Sequence, residues 1–251
     1  MTNQAYFGDP AEVQAAVAGG SITLRGTEAH HAATVKRVVA GETVDLLDGE
    51  GNRLGCTVVD VSGAAVVMTV DTVSFEPLPA TRIVLVQALA KGDRAEMAVE
   101  AATELGVDAV VPWQADRSIV RWRADKAVKG QAKWESVVRA ASKQSRRTRV
   151  PEVLDTVDSR GLGRWLADVA HPVLLHEEGR ISLASYWNRR SEDHTGTVAV
   201  IVGPEGGVSP QEVTLFEEHG AVPVQLGTNV LRASTAGPAA IAVLNQLLGR
   251  W

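Results

Sequence analysis

This chain of 251 residues contains a single cysteine and no long apolar run. Its single cysteine, Cys56, excludes an internal disulfide and any zinc site built from several thiolates. Cys56 lies in the strand-like run CTVVDV, where we expect a small packed side chain and not a nucleophile. No segment approaches the roughly 18 to 20 uninterrupted apolar residues that span a bilayer, and MTNQAYFGDP is not typical of a signal peptide. We therefore expect a cytoplasmic protein.

Charge is unevenly distributed along the chain. The net charge is −5, but residues 117–149 contain eleven Lys or Arg against two acids, so this segment carries +9 and the rest of the chain −14. A local positive field on an acidic protein attracts phosphates to one face. The distribution indicates a nucleic-acid partner despite the acidic total.

The first 75 residues contain short segments in which apolar and polar residues alternate, as is typical of strands. These segments are SITL at 21–24, ETVDLL at 42–47, CTVVDV at 56–61 and AAVVMTV at 64–70. DGEGN at 48–52 predicts a hairpin turn, and a short helix is predicted from Glu28 to Val39, before Gly41. The pattern predicts a small β-barrel over residues 1–75, with SFEPLPA at 74–80 as the linker.

From residue 76 to residue 251 the pattern becomes strand, helix, strand, helix. The strands are nearly continuous apolar runs, as in parallel sheets that are covered on both faces: IVLVQAL, AVVP, PVLLH, VAVIVG and AVPVQLG. Helices are predicted at 93–105, 125–146, 181–190, 209–219 and 234–248. The fourth helix should begin with a capping box of Ser209 and Glu212, with Pro210 at its first position. The fold class is α/β, a doubly wound domain preceded by the barrel.

Two turns rich in small residues, GPEGG at 203–207 and LGTNVLRASTA at 226–236, each follow a predicted strand. Ligands bind beyond the carboxyl ends of parallel strands, so we expect both turns to line a site. Neither turn matches GxxxxGK[ST] or GxGxxG, which makes a nucleoside triphosphate or NAD a poor candidate. A tight turn without a ligand remains the alternative.

Five ordered motifs resemble one known family. They are HHAATVKRVVAGE at 30–42, KGDR with TELGV at 91–107, AASKQSRRTRVP at 140–151, GPEGGVSPQE at 203–212 and LGTNVLRASTA at 226–236. In this order and at these separations they resemble the RsmE family, SPOUT-class methyltransferases of bacterial 16S ribosomal RNA. The resemblance implies a PUA-like RNA-binding barrel, a cofactor-binding and catalytic domain with a deep trefoil knot, and a homodimer. It also implies S-adenosylmethionine as methyl donor and N3 of U1498 in 16S rRNA, free or within the 30S subunit, as acceptor.

The resemblance also implies which residues hold the cofactor, mainly through the backbone of three loops. Mapped onto this chain, the cofactor residues are His176, Glu177, Gly203, Pro204, Glu205, Gly206, Gly207, Leu226, Gly227, Val230, Leu231, Arg232, Ala233, Thr235 and Ala236. For Leu226 and Leu231 ordinary core packing is the alternative. The sequence departs from many relatives at Asn229, where they have arginine, and at Ser234, where they have glutamate.

Two residues are candidates for catalysis. The uracil N3 proton must leave, and Arg232 could stabilise the resulting negative charge with planar donors. Its alternative is a surface salt bridge. Glu205 could accept the proton, orient the ribose, or only favour the start of the next helix. Methyl transfer from a sulfonium needs no metal, and no metal-binding motif is present.

Basic residues in both parts of the chain are candidates for RNA contacts. In the segment from 125 to 147, placed on a helix, an apolar stripe is formed by Trp134, Val137, Val138 and Ala141. The opposite side carries Lys126, Lys129, Lys133, Lys143 and Arg147. A merely solvated charged face is the alternative. The candidate RNA-binding residues are His30, His31, Arg37, Lys91, Arg117, Lys126, Lys133, Arg146 and Arg147.

Two other functions compete with methyl transfer. A noncatalytic RNA-binding or ribosome-assembly protein could keep the fold and lose the chemistry, although GPEGG and LGxxxLR favour an intact cofactor site. A nucleotide-dependent oxidoreductase would need GxGxxG after the first α/β strand, where this chain has ALAKGDRAE.

Overall fold

The structure, a computed structural model, describes residues 3–62, 65–189 and 195–251. Two predicted elements extend beyond these ranges. Residue 64 of the run AAVVMTV and residue 190 of the helix at 181–190 lie outside the described residues. The chain divides into two compact units. The first comprises residues 1–78 and 142–150, and the second comprises residues 79–141 and 151–251.

The first unit is built on a five-stranded sheet in the order β1-β3-β4-β5-β2, where the small β-barrel was predicted. Its strands are β1 (Gln4–Phe7), β2 (Ser21–Arg25), β3 (Thr43–Leu47), β4 (Asn52–Ser62) and β5 (Ala65–Phe75). β1 runs parallel to β3, and every other pairing in this sheet is antiparallel. β3 and β4 form the predicted hairpin. Register shifts in β4 at Gly55/Cys56 and Val58/Asp60 add the local twist that curls a sheet.

A compact apolar core fills the first unit. Tyr6, Leu46, Leu54 and Met68 are each at most 2% exposed. Cys56 belongs to the same core, and burial, followed by the charges of two nearby aspartates, raises the pKa of its thiol to about 12. The cysteine is therefore a packed side chain, as predicted from the sequence.

The helices of the first unit differ from the expected single helix at 28–39. The structure has α1 (Pro10–Ala15), α2 (Gly26–His30) and a π-helical turn (His31–Lys36) that ends at Arg37 with φ +56°. The predicted helix is thus interrupted by the change of pitch and ends early. α1 was missed, although the Asp9 side chain accepts from two amides of its first turn.

Residues 142–150 lie in the first unit, whereas the division at 75/76 assigned them to the second. Hydrogen bonds explain their placement. The Arg149 guanidinium donates to the Glu76 carbonyl at 2.7 Å, and the Val150 amide donates to the Gly49 carbonyl at 2.9 Å. The basic segment at 117–149 is therefore shared between the two units.

The second unit contains a sheet in the order β11-β13-β10-β12-β6-β7-β8, with β9 also paired to β7. Every pairing in it is parallel. Its strands are β6 (Thr81–Ala88), β7 (Ala109–Gln114), β8 (Glu152–Val153), β9 (Val157–Asp158), β10 (His171–Leu175), β11 (Ile181–Ser182), β12 (Gly196–Val202) and β13 (Val222–Gln225). The five apolar runs all form strands, so the predicted parallel sheet is confirmed.

Helices cover both faces of this sheet. They are α3 (Arg94–Glu104), α4 (Asp125–Ser145), α5 (Ser159–Leu166), α6 (Leu183–Asn188), α7 (Pro210–Glu218) and α8 (Ala233–Leu247). α5 and α7 pack together, while α3 packs on β6 and α8 on β6 and β12. Residues of α4 up to Ala141 belong to the second unit. α5 was not predicted; the other five helices match the predicted segments to within a few residues at each end.

Candidate functional site

One pocket of about 720 Å³ lies in the second unit, at the carboxyl ends of β10, β12 and β13. Three loops, one after each strand, converge there, as expected for a ligand site in a parallel sheet. Its lining residues are Arg94, Arg117, Leu175, His176, Glu177, Val202, Gly203, Pro204, Glu205, Gly206, Gly207, Val208, Val224, Gln225, Leu226, Gly227, Thr228, Asn229, Val230, Leu231, Arg232, Ala233 and Ala236.

The glycine-rich loop at 203–207 forms one wall, and its glycines have steric reasons to be there. A Cβ on Gly203 would lie 2.7 Å from Val208 Cγ2, and one on Gly206 would lie 3.2 Å from Arg117 Cβ. Gly207 has φ +73°, a conformation that costs an L-residue about 1–2 kcal/mol. The loop thus exposes its backbone to the pocket and has little room for side chains.

The loop after β10 supplies His176 and Glu177. The His176 amide donates to the Val224 carbonyl at 3.0 Å, which attaches this loop to β13. The Glu178 amide donates to His176 Nδ1 at 3.2 Å, so Nδ1 is an acceptor and the ring proton of a neutral imidazole lies on Nε2. Gly179 packs so tightly that a Cβ would lie 2.7 Å from the Val224 carbonyl carbon.

The third loop, residues 226–232, leads from β13 into α8. Val230, Leu231 and Arg232 are exposed at the pocket mouth. Arg232 is the N-cap of α8, but only its backbone takes part: its carbonyl accepts from the amides at 235 and 236, both at 2.9 Å. Farther along, the absence of a side chain at Gly237 allows α8 to pack directly on the sheet, since a Cβ would lie 2.8 Å from Leu85 Cδ1.

Three arginines surround the mouth of the pocket, and their bonding differs. Arg94 Nη1 lies 3.1 Å from Glu205 Oε1 in an ion pair, and Arg117 Nη1 donates to the Gly206 carbonyl at 3.1 Å. The Arg232 guanidinium has no hydrogen-bond or ion-pair partner within the described ranges. The surface salt bridge considered for Arg232 is therefore not formed, and its donors are available to a ligand.

The structure brings into this single pocket all of the cofactor residues predicted from the sequence except Thr235, which is exposed and does not line it. The sequence missed Arg94 and Gln225 as lining residues. Arg94 lies in the motif KGDR, so the signal was present but was not assigned to the site. Gln225 is the last residue of β13 and donates through its amide to the Glu177 carbonyl.

Of the candidate RNA residues in the second unit, Arg117 lies at the pocket itself. Lys91 is exposed in the turn before α3. Lys126 is exposed in the first turn of α4 and lines a shallow basic depression that also includes Arg121 and Arg123. Lys133 is exposed but already paired, with its Nζ 2.7 Å from Glu96 Oε1. Lys126 therefore has more freedom than Lys133 to bind a phosphate.

His31 is at the centre of a polar cluster in the first unit. Lys143 Nζ lies 2.7 Å from Glu28 Oε2 and 2.9 Å from His31 Nδ1, and 5.3 Å from the centre of the Tyr6 ring. Burial and then the Lys143 charge lower the pKa of His31, against the opposing effect of Glu28. Burial, with help from Glu28 and Glu42, raises the pKa of Tyr6 to about 12. Lys143 is thus engaged within this unit and does not belong to an open lysine face.

The other candidate RNA residues of the first unit differ from one another in exposure. His30 and Arg37 are exposed. Arg146 is partly buried with φ +60°, and its carbonyl accepts from Arg53 Nη2 at 2.7 Å. The Arg147 amide donates to the Ser142 carbonyl at 2.9 Å, and the side chain is partly buried.

Among the described residues, no group of three or more His, Cys, Asp or Glu is placed to hold a metal ion. No helix in the same ranges has both the length and the apolar character needed to cross a bilayer.

Comparison with known proteins gives concordant results. Residues 76–245 match the family described as RNA methyltransferase domain, and residues 24–67 match the RNA methyltransferase PUA domain. The chain is 35% identical to ribosomal RNA small subunit methyltransferase E of Mycobacterium bovis, over 93% of this chain and 89% of that protein. It is 30% identical to the Bacillus subtilis protein of the same name, over 90% of each chain.

Solved structures agree with the sequence relatives. The ribosomal RNA small subunit methyltransferase E of Neisseria gonorrhoeae, bound to S-adenosyl methionine, matches with a TM-score of 0.82 and 26% identity over 98% of both chains. A methyltransferase of Legionella pneumophila with bound cofactor SAM matches with a TM-score of 0.83 and 27% identity, again over 98% of both chains. The resemblance found in the motifs is confirmed: this chain belongs to the ribosomal RNA small subunit methyltransferase E family, with an RNA methyltransferase domain and a PUA domain.

Proposed function

We propose that this protein transfers a methyl group from S-adenosylmethionine to N3 of one uridine of 16S ribosomal RNA, U1498 by resemblance. The observation that carries the proposal is the convergence of three loops on one pocket. Arg232 lies at the mouth of this pocket and has no partner among the residues that the structure describes. Membership of the family supports the reaction class, and two solved relatives were crystallised with the same cofactor bound.

The pocket fits such a cofactor. Its volume of about 720 Å³ lies within the range of small-molecule sites. Because Gly203 and Gly206 carry no side chain, the backbone of their loop lines the pocket, and its groups other than the Gly206 carbonyl and the Gly207 amide could bond to a ligand's polar edge. The apolar side chains of Leu226, Val230 and Leu231 could cover a planar base. We propose that these loops hold the nucleoside and that the glycine-rich wall contacts it through amides and carbonyls.

Arg232 and Glu205 are the proposed catalytic residues. S-adenosylmethionine, when bound, supplies an electrophilic methyl group on a sulfonium. The uracil N3 must lose its proton, and the charge that develops spreads to the neighbouring carbonyl oxygens. Arg232, whose donors bond to none of the described residues, would stabilise that charge. Glu205 would accept the proton or orient the ribose, and its ion pair with Arg94 fits a carboxylate that is ionised and fixed in position.

We propose that exposed cations of the second unit contact the RNA. Arg117 adjoins the pocket and Lys126 lies in an exposed basic depression. Each phosphate that such residues neutralise releases counterions, so binding should depend strongly on salt. The homodimer and the trefoil knot stay predictions from the resemblance; light scattering on the purified protein would test the first.

Calorimetric titration tests the proposal at the level of the cofactor. Micromolar binding of S-adenosylmethionine or S-adenosylhomocysteine, with none for NAD, is expected. Absence of binding to all three would leave the noncatalytic RNA-binding function in its place. NAD binding alone would support the oxidoreductase.

Mapping of the product tests it at the level of the acceptor. Mass spectrometry of 16S rRNA from cells with and without the gene should show one methylated uridine that disappears with the gene. Purified protein should restore it on free rRNA or on 30S subunits, and the comparison identifies the substrate form. A methyl group at another base or at the ribose would refute the N3 assignment.

A further inference from the structure

A buried carboxylate lies behind the glycine-rich wall of the pocket without lining it. Glu212, in the first turn of α7, is 1% exposed. Oε1 accepts from the Asp116 amide at 2.7 Å and from Ser159 Oγ at 2.6 Å, and Oε2 accepts from the Ser209 amide at 2.9 Å. None of the ion pairs in the part of the chain that the structure describes includes Glu212. Three hydrogen-bond donors therefore compensate the desolvation of this charge.

These donors come from three separate segments of the second unit. Asp116 belongs to the turn after β7, Ser159 begins α5, and Ser209 is the residue between the glycine-rich loop and α7. Ser209 Oγ also donates to Asp116 Oδ2 at 3.2 Å, so the first and third segments are joined twice. Ser159 Oγ in turn accepts from Trp113 Nε1 at 3.2 Å. One carboxylate thus connects the end of the loop with the turn beside it.

That turn also holds the loop directly. Arg117, the next residue after Asp116, donates from Nη1 to the Gly206 carbonyl at 3.1 Å. The fit is close, because a Cβ on Gly206 would lie 3.2 Å from Arg117 Cβ and 3.4 Å from the Arg117 carbonyl oxygen. Any shift of the turn therefore moves the guanidinium at the pocket mouth and the backbone of the glycine-rich wall together.

We propose that Glu212 is a positioning residue for the pocket, which uses its buried charge to fix the Arg117 turn against the glycine-rich loop. The proposal extends the proposed methyl transfer and rests on it for the identity of the ligand. The capping box by itself needs only the two reciprocal bonds between Ser209 and Glu212, from the Ser209 amide to Glu212 Oε2 and from the Glu212 amide to Ser209 Oγ. The bond to the Asp116 amide, from a residue 96 positions away in the chain, serves no helix and points to the positioning role.

Glu212→Gln is the decisive variant. Glutamine keeps the shape of the side chain but has only one acceptor oxygen, and its NH2 group would face a backbone N–H. The amide of Asp116 or that of Ser209 therefore loses its acceptor. We expect faster hydrogen exchange in residues 115–118 and 203–209 of the free protein. We also expect binding of S-adenosylhomocysteine to weaken by about tenfold, which is in the range typical of residues that act on a site through intervening contacts.

Two variants serve as matched controls. Asp158→Asn makes the same chemical change at an exposed N-cap, where Oδ1 accepts from the Gly161 amide at 2.7 Å. Ser159→Ala removes one buried donor to Glu212 and leaves both loop amides bonded. Both should leave exchange in the two segments and cofactor affinity within twofold of the unchanged protein, even if the melting temperature falls. If Glu212→Gln does not fold, Glu212→Asp, which keeps the charge on a shorter side chain, replaces it.

The exchange measurement needs no ligand, so it is independent of the proposed function. Faster exchange confined to the two segments supports the positioning role, even if the unchanged protein binds no S-adenosylhomocysteine and the methyl-transfer proposal fails. A folded Glu212 variant with unchanged protection in both segments overturns the role. So does the same exchange pattern in Asp158→Asn, because the loss of a carboxylate that does not contact Glu212 would then be enough to produce it.

Discussion

Replacing Arg232 by alanine gives the sharpest test of the proposed chemistry. Its guanidinium has no partner among the described residues, and its backbone alone caps α8. The substitution therefore removes a free cation at the pocket mouth without breaking a bond in the protein. The free energy of unfolding should change by no more than about 0.5 kcal/mol, as is usual for surface positions.

The expected loss of activity follows from one hydrogen bond to a charged group. Such a bond contributes about 1.5–3 kcal/mol. At about 1.4 kcal/mol for each factor of ten, kcat should fall by roughly 10- to 150-fold. Arg232→Lys keeps the charge but loses the planar pair of donors, so its kcat should lie between that of the unchanged protein and that of Arg232→Ala. Cofactor affinity should decrease only modestly in both variants.

Initial rates of methyl transfer to 30S subunits or rRNA, measured with saturating labelled S-adenosylmethionine, give kcat. Calorimetry gives the cofactor affinity of the same samples. Arg160→Ala, an exposed arginine on α5 away from the pocket, is the matched control and should be fully active. A kcat for Arg232→Ala within twofold of the unchanged protein would remove this residue from the mechanism.

Three other outcomes are expected. Glu205→Gln, which breaks the ion pair with Arg94, should lower kcat by about 100-fold if the carboxylate accepts the proton; a rise in KM alone would assign it to the ribose instead. Lys126→Glu should weaken RNA binding and reduce its salt slope by about one, and more than Lys133→Glu; equal effects would contradict the difference in pairing. Because its folded pKa is lowered, neutral His31 favours folding, so stability should fall as pH drops below about 6.5, its ordinary pKa, and His31→Gln should flatten this dependence in pH-resolved unfolding.

Strong local patterns made most of the second unit predictable. Five of its eight parallel strands are apolar runs, whereas the two-residue strands β8, β9 and β11 were not predicted. The capping box of Ser209 and Glu212 indicated the start of α7. α5 was missed because Gly161 and Gly163 lower its helix propensity. Burial of one face of α5 outweighs that cost, as the fully buried Leu162 shows. The π-helical turn at 31–36 has no sequence signal of the kind that caps and periodicity provide.

The glycine-rich wall of the pocket could be predicted from the sequence, whereas the polar contacts of the pocket could not. Gly203 and Gly206 are required by crowding that any side chain would worsen, so their pattern is local. The ion pair of Arg94 and Glu205 joins residues 111 positions apart, and spacing along the chain does not reveal it. Lys143 was likewise predicted on an open basic face, because its partner Glu28 lies far away in the chain and the spacing does not reveal the ion pair.

The capping of α7 also decides what the helix can offer a ligand. In many α/β proteins the positive end of the macrodipole and its unbonded amides receive a phosphate. Here Pro210 has no N–H, the Glu212 amide is bonded to Ser209 Oγ, and the carboxylate of Glu212 places a negative charge at the same end. A nucleoside diphosphate would therefore gain little from the N-terminus of this helix, and a ligand of the pocket depends on the backbone and side chains of the three loops instead.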